Sequence, residues 1–403
     1  MSSPRSAAPS HNRRLVGWLS LAQLISWGSL FYSFALLLEP VERELGMTRS
    51  QSSLAFSLAL LAEGIAAYPV GRWIDRGHER AVVTGCSLLA GSCLLAHSAI
   101  DSVWDFHAVW VGLGLTMAGT LYTPLFAVIT RRYPQDFRRA IITMTFLGGL
   151  ASTVFIPLTA WLIAAFGWRH ALWALAALQF FVCAPLHATL LRQAPVPPAP
   201  AHAAARTSAS SHLGSAPFLL IGAFTVAMMA VTAALPPHMV SLLRGNGLDE
   251  RWAIAIPAAI GVMQVAGRVL LFLFEHRFDL HVANRAIPTL IPIGLAVLIA
   301  GAGHAGAALL FVLLYGLGNG MITIVKGTAI AQYVSREHVA SLNGALGLPT
   351  ALARAATPWL LGALWTAQAG YLHGLWLLLA LSLLATMALM LAQRISLRRT
   401  PTP

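Results

Sequence analysis

Four charged side chains stand well inside long apolar stretches of this chain: Glu63, Arg268, Lys326 and Arg354. A charge in hydrocarbon is costly, so each must face a partner or a water-filled cavity. Their sum is +2, and a cavity with surplus positive charge is matched best by an anion, most simply an organic carboxylate. Arg354 lies between Pro349 and Pro358, whose missing N–H groups loosen the helix around it. It reads as a substrate or gating residue, or as one half of a salt bridge. Arg268, with Gln264 one turn earlier on the same face, is a second anion contact unless it snorkels to the near interface. Lys326 follows Thr323 on a helix carrying Gly316, Gly318 and Gly320, glycines that read as packing residues. It is a third contact unless burial leaves it neutral. Glu63 is the one acid deep in a span. It suits a proton-coupling site, since burial favours a protonated carboxyl, or an ion pair with one of the three cations. Tyr32, Tyr122, Thr123 and Asn319 add hydroxyl and amide groups able to hydrogen-bond a substrate.

Other chemistries find little support. No H-E-x-x-H, G-x-S-x-G or phosphate loop is present, so the chain does not read as an enzyme. Gly301 to Gly306 fits G-x-G-x-x-G but follows no strand. Cys86 and Cys93 are two helical turns apart, too far to clamp one metal ion. With Cys183 they read as buried apolar cysteines, and neither a cofactor nor a metal is expected. His97, His238, His304 and His373 fall near the ends of apolar runs and are expected at the membrane interface.

The elements that carry these residues must span a bilayer. Of the 403 residues 57% are hydrophobic and 10% charged, with a mean hydropathy of +0.71. A soluble protein carries roughly 25% charged residues. Apolar runs near the ~20 residues a bilayer requires predict twelve transmembrane helices. They fall at 15–38, 51–71, 81–100, 106–129, 140–164 and 171–191, then at 217–241, 252–274, 286–302, 307–332, 342–366 and 372–392. The net charge of +12 is spread over loops, with no basic stripe for nucleic acid. Of the 26 Lys and Arg, only Arg43, Arg49, Arg169, Arg244 and Arg251 fall in the loops on one side. Apart from Arg268, Lys326 and Arg354, the rest lie on the other side with both termini. The positive-inside rule makes that side the cytoplasm, in a multi-pass plasma (bacterial inner) membrane protein.

The chain divides into a tail at 1–14, a six-helix half at 15–191, a Pro/Ala/Ser-rich linker at 192–216, a second half at 217–392 and a tail at 393–403. The halves echo each other near a 200-residue offset. Tyr133 to Ala140 aligns with Tyr333 to Ala340, Pro157 with Pro358, and Gly167-Trp168 with Gly370-Tyr371. Such pseudo-symmetry points to a duplicated bundle with a site between its halves.

Between the second and third spans stands Gly71-Arg72-Trp73-Ile74-Asp75-Arg76-Gly77-His78-Glu79-Arg80. This resembles the G-x-x-x-D-R-x-G-x-R signature of the major facilitator superfamily. Its counterpart in the second half, Gly267-Arg268 through Glu275-His276-Arg277, is degenerate. Three further stretches are similar to the bacterial branch near the monocarboxylate and oxalate–formate transporters: Trp27 to Tyr32, Gly148 to Leu162 and Gly261 to Arg268. The resemblance implies an all-α, twelve-helix major facilitator fold working by alternating access, as a monomer, on a small-molecule substrate within the lipid bilayer. It implies a conformational latch at Gly71, Asp75, Arg76, Gly77 and Arg80. In that branch an arginine of helix eight, matched by Arg268, and a cation of helix ten or eleven, Lys326 or Arg354, meet the substrate carboxylate. Efflux of amphipathic drugs or metalloid compounds, and an anion channel, are the alternatives.

Overall fold

The computed structural model describes residues 13–133, 137–192, 212–274, 279–335 and 338–399. By length and composition, nine described helical runs are able to cross a membrane. Two of them are double. Arg49–His97 reverses at Gly77 (φ 89°) and Ala140–Leu190 at Gly167 (φ 78°). Val339–Ala363, the helix that holds Arg354, completes twelve crossings. We label them α1 Arg14–Leu45, α2 Arg49–Trp73, α3 Glu79–His97, α4 Val103–Arg132, α5 137–166, α6 168–190, α7 Ala216–Gly245, α8 Glu250–Phe274, α9 Leu280–Ala300, α10 Ala305–Tyr333, α11 Val339–Ala363 and α12 Leu372–Arg399. The last runs through the expected tail at 393–399. Most of the expected linker, 193–211, lies outside the described residues, as do 275–278 and the middles of the repeated segments, 134–136 and 336–337.

The duplication is visible in the backbone. Gly167 and Gly370 (φ 54°) both take left-handed φ at the turns α5–α6 and α11–α12, a conformation that glycine adopts without steric cost. Each half has its own core. One is built around Phe34, Phe56 and Trp110, the other around Phe224, Phe311 and Tyr315.

The halves meet along two seams, α2 against α11 and α5 against α8, with a small apolar cluster of Ala35, Leu36, Ile156, Val240 and Ala258 between them. The α2–α11 seam is a V. At the end away from the termini it is zipped: a Cβ on Gly362 would collide with Ser53 and come within 2.9 Å of the Arg49 carbonyl oxygen. There the Trp359 N–H donates to Ser57 Oγ at 2.9 Å and its indole to Ser50 Oγ at 3.1 Å. Midway, Gly64 faces Ala351. Beyond that point the helices part. Tyr68 is 72% exposed and Leu348 70%, and a Cβ on Gly71, Gly344 or Gly347 would meet nothing within 4 Å.

A polar network locks the closed end. Arg49 Nε lies 3.0 Å from Glu42 and its Nη1 donates to the Tyr371 hydroxyl at 2.7 Å. His238 Nε2 donates to the Pro358 carbonyl at 2.9 Å, leaving Nδ1 to accept from the Tyr371 hydroxyl at 3.0 Å. Arg244 reaches back from α7 to Glu39 at 2.6 Å. Burial, opposed by Arg49, pushes the Tyr371 phenol up to about 12, so it remains a donor throughout the physiological range. His238 and His97, expected near span ends, are fully buried among other side chains. His238 is drawn in by its two partners, and His97 by rings of Phe106, Trp110 and Trp168 within 6.0 Å.

At the other end two strong polar contacts lie within the first half. Glu79 is fully buried and paired with Arg131 and with Arg132, whose Nε lies at 2.6 Å. Arg80 donates to the Ala188 carbonyl at 2.8 Å. In the signature loop the second glycine stands at 77, one position before the pattern has it, and makes the reversal into α3. Asp75 and Arg76 are exposed.

Two outcomes follow. Gly362→Ala wedges the closed seam and is expected to cost about 1–3 kcal/mol, read as a lower melting temperature in detergent. Gly17→Ala, whose Cβ meets nothing, should hold or raise it, since alanine favours the helix. Glu79→Gln leaves two buried guanidinium groups short of a counter-charge and is expected to cost about 3–5 kcal/mol. A melting temperature equal to that of the parent protein would refute that role for Glu79.

Candidate functional site

The three stretches similar to the carboxylate-transporter branch converge in space. A Cβ on Gly261 would press on the Gly149 carbonyl, Ser152 and Thr153, so the second and third stretches face each other across the α5–α8 seam. Thr153 Oγ1 donates to the Ala258 carbonyl at 2.6 Å there. The first stretch packs on the second through Gly28, which has the Phe155 ring where a Cβ would stand.

Local distortions place the side chains. At Trp27–Tyr32 helix α1 widens to a π-type turn, with Ser33 N–H donating to the Gly28 carbonyl at 3.0 Å. Single wide turns of this kind recur at functional sites. Helix α4 breaks at Leu121 (ψ −166°). Pro124 has no N–H for the Thr120 carbonyl, and Gln23 Nε2 donates to it instead at 2.5 Å, satisfying a group that hydrocarbon would leave bare. The break sets Tyr122 beside Trp27 (centroids 5.0 Å) and stacked on Phe126 (5.3 Å). Trp27, Phe31, Tyr32, Tyr122 and Phe126 thus form an aromatic wall.

Arg268 lies against that wall. Its Nη1 donates to the Thr145 carbonyl across the seam at 2.8 Å and its Nε to the Gly320 carbonyl at 3.3 Å. Tyr32 and Tyr122 are its electrostatic neighbours, and Gln264 lies close to Tyr32. Arg268, Gln264, Tyr32 and Tyr122, each singled out in the sequence, are therefore together. The glycines of α10 are packing residues: Gly316 meets Met263, Gly318 meets Leu290 and Ile291, and Gly320 meets the Gln264 backbone. They bring α8 and α10 close enough for Arg268 to reach Gly320.

Lys326 stands six residues beyond Gly320, about 9 Å along the helix. Its Nζ lies 3.3 Å from Met229 Sδ, and Arg354 is near enough to act on it electrostatically. Arg354 is paired with Glu63 at 3.4 Å, at the fork of the V. Among the described residues neither Arg268 nor Lys326 has a carboxylate within 4.0 Å. The surplus charge of the four intramembrane groups therefore resides on these two. Asn319 is half-buried and Thr123 exposed.

Sequence reasoning passed over Trp27, whose indole N–H is buried beside Tyr32 and Tyr122 without a partner. It sits in a stretch singled out for resemblance, but a tryptophan in a span reads equally as packing. Cys86 and Cys93 fill notches at Gly119 and Gly112, a packing role. Among the described residues no cluster of His, Cys, Asp and Glu is arranged to hold a metal.

With this geometry in hand, comparison with known proteins is informative. A family profile described as Major Facilitator Superfamily matches residues 19–358. The chain is 30% identical over 207 residues to monocarboxylate transporter 13 of Bos taurus, covering 50% of this chain and 47% of that one. It is 29% identical over 201 residues to an MFS-type efflux pump of Mycolicibacterium smegmatis, covering 46% and 45%. The chain thus spans about half the length of the curated relatives it matches. Among solved structures it is similar to a bacterial homologue of the human lysosomal transporter Spinster, inward-facing and unoccupied. That likeness has a TM-score of 0.75 at 18% identity and covers 98% of this chain and all of the other (100%). It is also similar to a mutant of the nucleoside transporter NupG, with a TM-score of 0.76 at 15% identity over 94% and 99%. These structures share the fold. The profile over most of the chain establishes that this multi-pass membrane protein belongs to the Major Facilitator Superfamily, a family of transporters and not of enzymes.

Proposed function

We propose that the substrate is a small organic anion, most simply a carboxylate, taken up between the halves and moved by alternating access. The observation that carries this reading is the pair of half-buried intramembrane cations, Arg268 and Lys326, left without a carboxylate partner among the described residues. Arg268 offers the forked guanidinium that suits a carboxylate. Tyr32, Tyr122 and the Trp27 indole add donors from the opposite half, Gln264 adds one from the Arg268 helix itself, and Asn319 lies on the Lys326 helix. The likeness to a monocarboxylate transporter agrees. Glu63 and Arg354 act as a pair at the fork, where parting of the V would strain them, and protonation of Glu63 would release Arg354. We assign the proton-coupling role to Glu63 on that ground.

In this reading the structure faces the side that carries the termini, which the charge asymmetry makes the cytoplasm of a bacterial inner membrane. When that side closes, the uncovered face of α2 at Tyr68 and Gly71 meets α11 at Gly344 and Leu348. The loop of Gly71, Asp75, Arg76, Gly77 and Arg80 then latches the halves. The network around Tyr371 seals the far end, which favours alternating access over an open anion channel. A single chain contains the whole site, so it acts as a monomer. A second reading, efflux of an amphipathic compound, draws on the aromatic wall and the likeness to an efflux pump.

Reconstituted protein should accumulate labelled mono- or dicarboxylates saturably. Arg268→Gln should raise KM about 10- to 100-fold, as expected for losing a charged hydrogen-bonded contact. Arg354→Gln alone should impair uptake by stranding Glu63, and the double change with Glu63→Gln should recover part of it. Uptake driven by an inward proton gradient should lose that dependence in Glu63→Gln. If no carboxylate moves, or Arg268→Gln transports normally, the anion reading fails and efflux takes its place.

A further inference from the structure

We propose that a groove between α2 and α3, on the outer wall of the first half at the end carrying the termini, holds a phospholipid with an anionic headgroup. The groove encloses about 520 Å³ between two helix faces. Its floor is apolar, with Val70 and Trp73 on α2 and Val82, Cys86 and Leu89 on α3. It opens onto hydrocarbon: the face of α3 beside it continues as an exposed row of Leu88, Leu89 and Leu95, 41–46% exposed. A soluble ligand would have to leave water to enter at that level, whereas an acyl chain already lies in hydrocarbon there.

The mouth of the groove has the opposite character. Arg76 and His78 line it where α2 ends, at the depth of the lipid headgroups. Trp73, 53% exposed, has the amphipathic ring that favours this layer. Of the two acids in the loop, Glu79 is buried and committed to Arg131 and Arg132, and Asp75 does not line the groove. Arg72 is turned aside onto the Tyr68 ring, 5.7 Å from its centroid. The rim is therefore cationic over an apolar trough, the pattern by which basic recesses between membrane helices take anionic lipids. Gly85 helps to form the trough: it is exposed, and a Cβ there would meet nothing within 4 Å. A larger side chain at 85 would enter the groove without disturbing the helix packing.

The test is native mass spectrometry of the full-length protein, released from detergent after equilibration with equal amounts of phosphatidylglycerol and phosphatidylcholine bearing identical chains. The wild type should retain phosphatidylglycerol in preference. Arg76→Gln should reduce that preference roughly fivefold, the worth of one basic residue near a membrane surface. Gly85→Leu and Ala81→Phe, both filling the trough, should lower retention of both lipids. Melting temperatures would confirm that each variant folds, and the two filling variants guard against failure of one. Equal retention of the two lipids by the wild type, an unaltered preference in Arg76→Gln, or undiminished retention in the folded filling variants would each overturn the proposal. Transport is not the readout, so none of these results bears on the anion reading.

Discussion

A charge inside a bilayer has no water to fall back on, and this constraint organises the molecule. Among the described residues, many acids within its helices or at their ends have a cationic partner drawn from elsewhere in the chain. Glu79 takes two arginines, Glu39 and Glu42 share Arg49 and Arg244, Glu44 holds Arg169, and Glu63 holds Arg354. The same holds for backbone groups. The carbonyl stranded by Pro124 is met by Gln23, and that of Pro358 by His238. Against that pairing, the two intramembrane cations left with only carbonyl or thioether neighbours, Arg268 and Lys326, stand out, and the proposed anion site is built on them.

The pairing is also unevenly distributed, and that unevenness sets the geometry. Among the described residues, contacts across the α2–α11 seam are dense at one end and absent at the other, where the two helices part. Small residues permit both arrangements. Gly362 lets α11 close on α2 at the sealed end, while Gly71, Gly344 and Gly347 lie uncovered at the open one. A bundle of this kind is bistable rather than continuously deformable, because close-packed seams are either engaged or parted. The Glu63–Arg354 pair marks the boundary between the two regimes.

Much of the architecture was legible in the sequence because it depends on local properties. Apolar run length gives the crossings, and the repeated Gly167-Trp168 and Gly370-Tyr371 segments mark equivalent turns that the backbone realises with the same left-handed glycine. Arg268, Gln264, Tyr32 and Tyr122 were each singled out by residue type and helix position, and the shared face of Arg268 and Gln264 follows from their spacing. Other features gave no such signal. His97 and His238 stand where interfacial residues normally would, and only their three-dimensional neighbours bury them. Glu79 looked like one more charge in a basic loop, yet it is the buried counter-ion that ties α3 to α4. Arg49, Arg169 and Arg244 served as topological markers, and the fold employs all three in ion pairs.

By itself, then, the sequence determined the membrane class, the twelve helices, the two halves, the family and the list of intramembrane charges. These follow from composition and from spacing within one helix. Tertiary structure decided how those charges are divided. Arg354 and Glu63 are 291 residues apart, and Arg268 finds Thr145 at a separation of 123. No periodicity links positions so distant, because their approach depends on how two separately folded bundles meet. Whether an intramembrane cation has a carboxylate beside it is a property of that meeting, and it is what separates Arg354 from Arg268 and Lys326 among the described residues.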